Sequence, residues 1–185
     1  MTASPTSCWC LREDNEANVL DNSDTAPGSP QFDTNPRILA AAFGRSGGGY
    51  DLAFANHDLI PRTTEPNVDD YLEGGGVTIK GGTLRVALHL FMSAGGWSAG
   101  KVAYTFRFQH GRFELIGYDS DMIQRNSGED NGISVNYATG KMKLSAGRID
   151  DDAVKVTWKT LPSRPLLTID QIGDGMEFDP AKPPR

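Results

Sequence analysis

The chain is poor in the residues that carry covalent and metal chemistry. Two cysteines, Cys8 and Cys10, and three histidines, His57, His89 and His110, are all that its 185 residues provide. A Cys-x-Cys pair with no further Cys or His cluster lacks the ligands of a structural zinc site. A disulfide across so short a spacing would be strained, so the thiols are expected to be free or buried along a strand. No run of about 18 apolar residues is present, and no transmembrane helix is expected. The start, MTASPTSCWC, has neither a basic stretch nor an apolar one, so no secretory signal is visible as written. A net charge of −6 and a pI near 5.0 leave no basic face for a phosphate backbone, which argues against nucleic acid. Such a charge keeps a domain soluble, or presents an acidic surface to a basic partner.

Glycine (21) and proline (11) are plentiful and break the chain into short alternating segments. Tyr104, Phe106 and Phe108 alternate with Ala103, Thr105 and Arg107, the period of a half-buried strand. His110-Gly111 then supplies a tight turn. On the return strand Phe113 and Leu115 are expected on one face, with Glu114, Ile116 and Tyr118 on the other. A second hairpin runs through Ile133, Val135 and Tyr137, turns at Thr139-Gly140, and returns through Met142 and Leu144. Further strands are expected at 37–43 (RILAAAF), 50–54, 77–80 and 83–91, and around Val154, Val156 and Trp158. The expectation is an all-β antiparallel meander of about eight to nine strands, as a sandwich, barrel or partial propeller. One short C-terminal helix is expected over 166–172, capped by Thr168. Residues 1–35 read as a polar, partly flexible segment, 36–178 as a single β domain, and 179–185 as a tail.

Catalytic patterns are scarce. The glycine runs at 47–49 and 74–76 lead into strands, whereas a phosphate cradle leads into a helix. Asp119-Ser120-Asp121 opens like a calcium loop, but Ile123 and Gln124 stand at its fifth and sixth positions. The stretch beginning at Asp14 has Val19 where the loop glycine belongs. Glu114, Asp119 and Glu129 are carboxylates near one sheet edge that a glycosidase would need as a close pair. No Gly-x-Ser-x-Gly elbow occurs. No catalytic, cofactor or metal residue is therefore assigned, and an enzyme is not expected. The segment RNSGE (125–129) lies between the two best hairpins. Arg125 and Glu129 either pair within a structural turn or form a recognition loop with Trp97 and Tyr118. Exposed aromatics and arginine make good protein-binding anchors.

The runs FRFQHGRFELIGYDS, RNSGE, SVNYATGK, VKVTWKTL and LLTIDQI, with GGVTIKGGTLRVAL upstream, resemble a group of bacterial envelope proteins, often lipoproteins. The resemblance spans 37–178 and is strongest over 106–119. In that group the N-terminal part carries a signal peptide and an FG-GAP/VCBS-like Gly-Asp-x-Asn-x-Asp-Gly segment, similar to calcium-binding repeats of β-propeller proteins. That part is missing from this sequence, so calcium and export would belong to a longer form. Some similar proteins resemble inhibitors of peptidoglycan hydrolases. The resemblance implies a non-enzymatic protein, periplasmic or envelope-associated, that binds a protein partner such as a cell-wall hydrolase as an inhibitor or immunity protein. The alternatives are a carbohydrate-binding or carbohydrate-cleaving β domain using Trp97, Tyr118 and the acidic loops, and a structural envelope protein.

Overall fold

Period-two alternation builds more than half of the described chain, and a computed structural model describes residues 7–22 and 30–181. Among them twelve strands form: β1 Ser7–Arg12, β2 Val19–Asp21, β3 Gln31–Asp33, β4 Arg37–Gly44, β5 Tyr50–Asn56, β6 Gly76–Lys80, β7 Thr83–Leu90, β8 Ser98–Gln109, β9 Arg112–Gln124, β10 Glu129–Asn136, β11 Lys141–Arg148 and β12 Asp151–Thr160. β6 to β12 form one antiparallel meander in the order β12-β11-β10-β9-β8-β7-β6, and β1-β4-β5 form a second sheet. The large sheet does not close on itself, so the fold is an open all-β sandwich, and the barrel alternative falls away. The strands read from alternation are all present; β2 and β3 were not expected, and β1 only as one of the two readings of Cys8 and Cys10.

The β8–β9 hairpin turns at His110-Gly111, both at positive φ (52° and 76°), between the facing residues Gln109 and Arg112. Two consecutive left-handed residues make the tight turn whose twist suits a hairpin. Further along, Thr105 faces Gly117 but Phe106 faces Leu115, so Ile116 is an extra residue in β9. This bulge corrects the expected face of Tyr118. It resets the alternation, and Tyr118 joins Phe113 and Leu115 on the inner side.

The inner face of the large sheet presents Leu84, Val86, Leu88, Val102, Tyr104, Phe106, Phe113, Leu115, Tyr118, Val135 and Met142, all buried. The small sheet covers part of it: Phe43 meets Phe108 edge-on at 4.7 Å, and Phe54 meets Phe113 at 4.9 Å. Cys8 and Cys10 pack from β1 against this core, half-buried and unbridged. Burial raises both thiol pKa values.

The C-terminal segment covers the rest. The Leu115 N–H donates to the Leu167 carbonyl at 2.8 Å, where the segment runs beside β9 beyond the end of β10. Ile169 and Ile172 enter the core. The expected helix over 166–172 is a single 3-10 turn, Ile169–Gln171, with the Thr168 N–H donating to Gln171 Oε1 at 2.9 Å. Strand-like pairing at 167–168 and Gly173 at φ 71° leave no room for a longer helix.

The polar N-terminal segment is held in part. β1 pairs with β4 along its full length. Asn35, itself buried, accepts from the Asn15 N–H and from Asn18 Nδ2, while its own Nδ2 donates to Asp33. Residues 1–6, 23–29 and 182–185, which include most of the expected tail, lie outside the described residues.

Tyr104 ties the layers together. It is fully buried, packs edge-on against Tyr118 (5.3 Å) and Phe178 (5.7 Å), and donates to the Gly175 carbonyl at 2.5 Å. Burial pushes its pKa far up, so the hydroxyl remains a donor. Tyr104→Phe strands that carbonyl and is expected to cost about 1–3 kcal/mol in urea unfolding, with the strand content unchanged by circular dichroism.

Candidate functional site

The four residues expected to anchor a protein partner separate in the structure. Tyr118 is 4% exposed, so it is a core residue and not an anchor; the bulge at Ile116 is the reason. Arg125 is committed to its own chain. Its Nη2 donates to the carbonyls of Met92 and Gly96, its guanidinium lies 4.6 Å from the Phe91 ring centre, and its backbone N–H donates to the Trp97 carbonyl. It clamps the β7–β8 connection and does not reach out as a recognition side chain. Glu129 lies opposite Arg148 in the β10–β11 ladder and the Arg125 guanidinium is held by Met92 and Gly96, so the alternative Arg125–Glu129 turn pair does not form either. Trp97 is 61% exposed at this same end of the sheet.

The three candidate carboxylates are not a catalytic pair. Glu114 and Asp119 lie on β9, and Glu129 faces Gln124. At about 3.3 Å per residue, each is about 17 Å from the next along the sheet, against the roughly 5–9.5 Å of glycosidase pairs. Glu114 is 3% exposed and serves the hairpin. Burial pushes its pKa up, but hydrogen bonds from Gln109, Arg112 and His110 together outweigh that and lower it. Asp119 and Asp121 lie on an extended strand and not on a loop that could wrap a calcium ion. Among the described residues, no group of three His, Cys, Asp or Glu is placed to hold a metal.

The other face of the large sheet is where polar side chains converge. One row across it reads Ala87, Ala103, Asp119, Ser134, Lys143, Trp158; the next reads His89, Lys101, Asp121, Gly132, Ser145, Val156. Small residues in the middle leave a groove of about 520 Å³ spanning β7 to β11. Gly132 makes room for it: a Cβ there would lie 2.4 Å from Ser145 Oγ. Gly100, at φ 155°, lets β8 approach β9 so closely that a Cβ would meet the Asp121 carbonyl at 2.0 Å.

Charges of both signs line this groove. Asp119 accepts from Ser134 at 2.8 Å and pairs with Arg85 at 3.5 Å, which fixes its direction. Lys101 faces Asp121, and Lys143 stands between Ser134 and Trp158. Asp130 is raised in pKa by burial, by the neighbouring Asp121 charge and by a hydrogen bond shared with it. Trp158, 65% exposed, stands on β12 beside the groove. Sequence reading missed this set because each residue is an ordinary polar-face residue of its strand. The signal was present in the register of the meander, which aligns opposite charges on neighbouring strands.

No protein-family model, no curated protein and no solved structure matches the chain.

Two carboxyls titrate in opposite senses. Glu114, lowered from 4.5, contributes stability above that value that is lost as pH falls through its folded pKa. Asp130, raised from 3.8, costs stability once pH rises through its folded pKa. Glu114→Gln is expected to destabilise at neutral pH and Asp130→Asn to stabilise. Both differences should shrink in urea unfolding at acid pH, below 3.8.

Proposed function

We propose that this chain is a non-enzymatic binding domain of the bacterial envelope, holding another protein against the open face of its large sheet. Its partner on this reading is a peptidoglycan hydrolase, which it inhibits. The observation that carries the binding reading is the groove with Arg85, Lys101 and Lys143 set among Asp119 and Asp121. Side chains held by neighbouring strands lose little freedom on binding, which favours recognition. The net charge of −6 suits a basic partner, and an enzyme that works on an anionic cell wall gains from being basic. The hydrolase itself rests on the resemblance to envelope proteins.

One observation favours a second reading, a glycan ligand. Trp158 offers an open ring next to Lys143 on the same sheet face as the groove carboxylates, and sugars combine ring contacts with polar partners for their hydroxyls.

The test is lysis of purified peptidoglycan by a muramidase and by an amidase. The protein is expected to slow at least one of them at near-equal molar ratio. The double variant Asp119→Lys, Asp121→Lys should weaken inhibition by about 10–100-fold, since like charges then meet a basic partner. Unchanged lysis together with Trp158-dependent sedimentation on peptidoglycan would replace this reading by the glycan one.

A further inference from the structure

β12 is an edge strand of unusual character. It ends the large sheet, and all ten of its residues are exposed on both faces. Val156 faces Ser145 and Trp158 faces Lys143, so both point to the groove side. Val154 joins them, because a Cβ on Gly147 of that face would lie 3.5 Å from Val154 Cγ2. The opposite edge of the sheet, β6, lies beside β1 of the small sheet. A long exposed edge with apolar side chains is a template for a further strand.

We propose that β12 pairs antiparallel with β12 of a second copy of this chain, about a two-fold axis at Val156. Such a two-fold keeps each face of the sheet continuous, so facing residues share a face. With Val156 opposite Val156, Val154 faces Trp158 of the second copy and Lys155 faces Thr157, while a bulge opposite Gly147 leaves Asp152 and Ala153 outside the regular ladder. No like charges meet, and the apolar residues meet one another. Neighbouring registers fail. Centring on Lys155 sets the two Lys155 side chains face to face, and centring on Thr157 sets Lys155 against Lys159. Centring on Val154 puts the axis at the bulge opposite Gly147, and centring on Trp158 carries Val154 to Pro162, beyond the end of the strand. Cross-strand valine and aromatic pairs stabilise an antiparallel ladder and like charges opposite each other destabilise it, so the strand's sequence selects one register. The lysines that protect an edge strand from indiscriminate pairing here discriminate between registers. The dimer sets the two grooves on one continuous sheet face, separated by a stripe of Val154, Val156 and Trp158 from each copy.

The test is sedimentation equilibrium of the full chain from micromolar to millimolar concentration. A mass rising towards twice 20.0 kDa is expected, and the dimer should tighten with salt because each copy carries a charge of −6. Val156→Lys sets like charges on the axis and is expected to abolish the dimer. Because that side chain is exposed, the fold should be retained. Under mild oxidation Val156→Cys is expected to form a linked dimer. Lys159→Cys, about 20 Å from its mate in this register, should behave as the parent chain with only Cys8 and Cys10. A parent chain that stays monomeric at every concentration and salt overturns the proposal. So does a dimer that survives Val156→Lys, or equal linkage by both cysteine variants. Inhibition of peptidoglycan lysis is read separately through Asp119 and Asp121, so either idea can fail alone.

Discussion

Tyr104 shows the constraint on which the architecture depends: one face of a seven-stranded sheet must be sealed by material that is only partly sheet. The three strands β1, β4 and β5 reach Phe108 of β8 and Phe113 at the start of β9. The remainder is closed by irregular chain, whose backbone groups need partners once buried. The Tyr104 hydroxyl satisfies the Gly175 carbonyl, the Leu115 N–H satisfies Leu167, and the Gly175 N–H donates to Leu59. Each of these bonds joins the large sheet or a neighbouring loop to the C-terminal segment. The sandwich therefore owes its second layer as much to such single bonds as to aromatic packing.

The other face follows from the same alternation. Residues that send a side chain inward leave neighbours pointing outward, and over the groove those neighbours are mostly small, polar or charged. Ala87, Ala103 and Gly132 give depth, and Arg85, Asp119 and Ser134 form a fixed polar cluster. On this face the pKa of Asp130 is raised by burial and by the neighbouring Asp121 charge. Glu114 shows the reverse case: a carboxylate buried at a hairpin end whose three donors make it structural.

Much of the meander was legible because most strands alternate with a period of two and glycine stands in most of the turns that need positive φ. His110-Gly111 is the clearest instance. Legibility failed at three kinds of place. A bulge at Ile116 moved Tyr118 from the outer face to the core, and a single extra residue leaves no mark in an alternation of apolar side chains. Arg125 looked like a recognition residue because a guanidinium suits both roles, and only the carbonyls of Met92 and Gly96 decide between them. β1 was read as part of a polar tail because its pairing with β4 is long-range. The groove was hidden for a related reason: no strand carries it, and it exists only in the register between strands.

β12 shows why alternation identifies a strand without saying which way it faces. Val154, Val156 and Trp158 have the spacing of a core stripe, yet Val156 and Trp158 lie opposite Ser145 and Lys143, on the face away from Met142 and Leu144. Meander register leaves no choice: once Met142 is buried, Lys159 shares its side, and Trp158 must take the other. An apolar stripe on the solvent side of an edge strand exposes both its side chains and its unpaired backbone groups. Adding a strand satisfies both at once, and β12's own charge pattern decides which strand fits. The groove and the edge are thus consequences of one register, the groove from residues that face each other within the chain and the edge from residues that have no one to face.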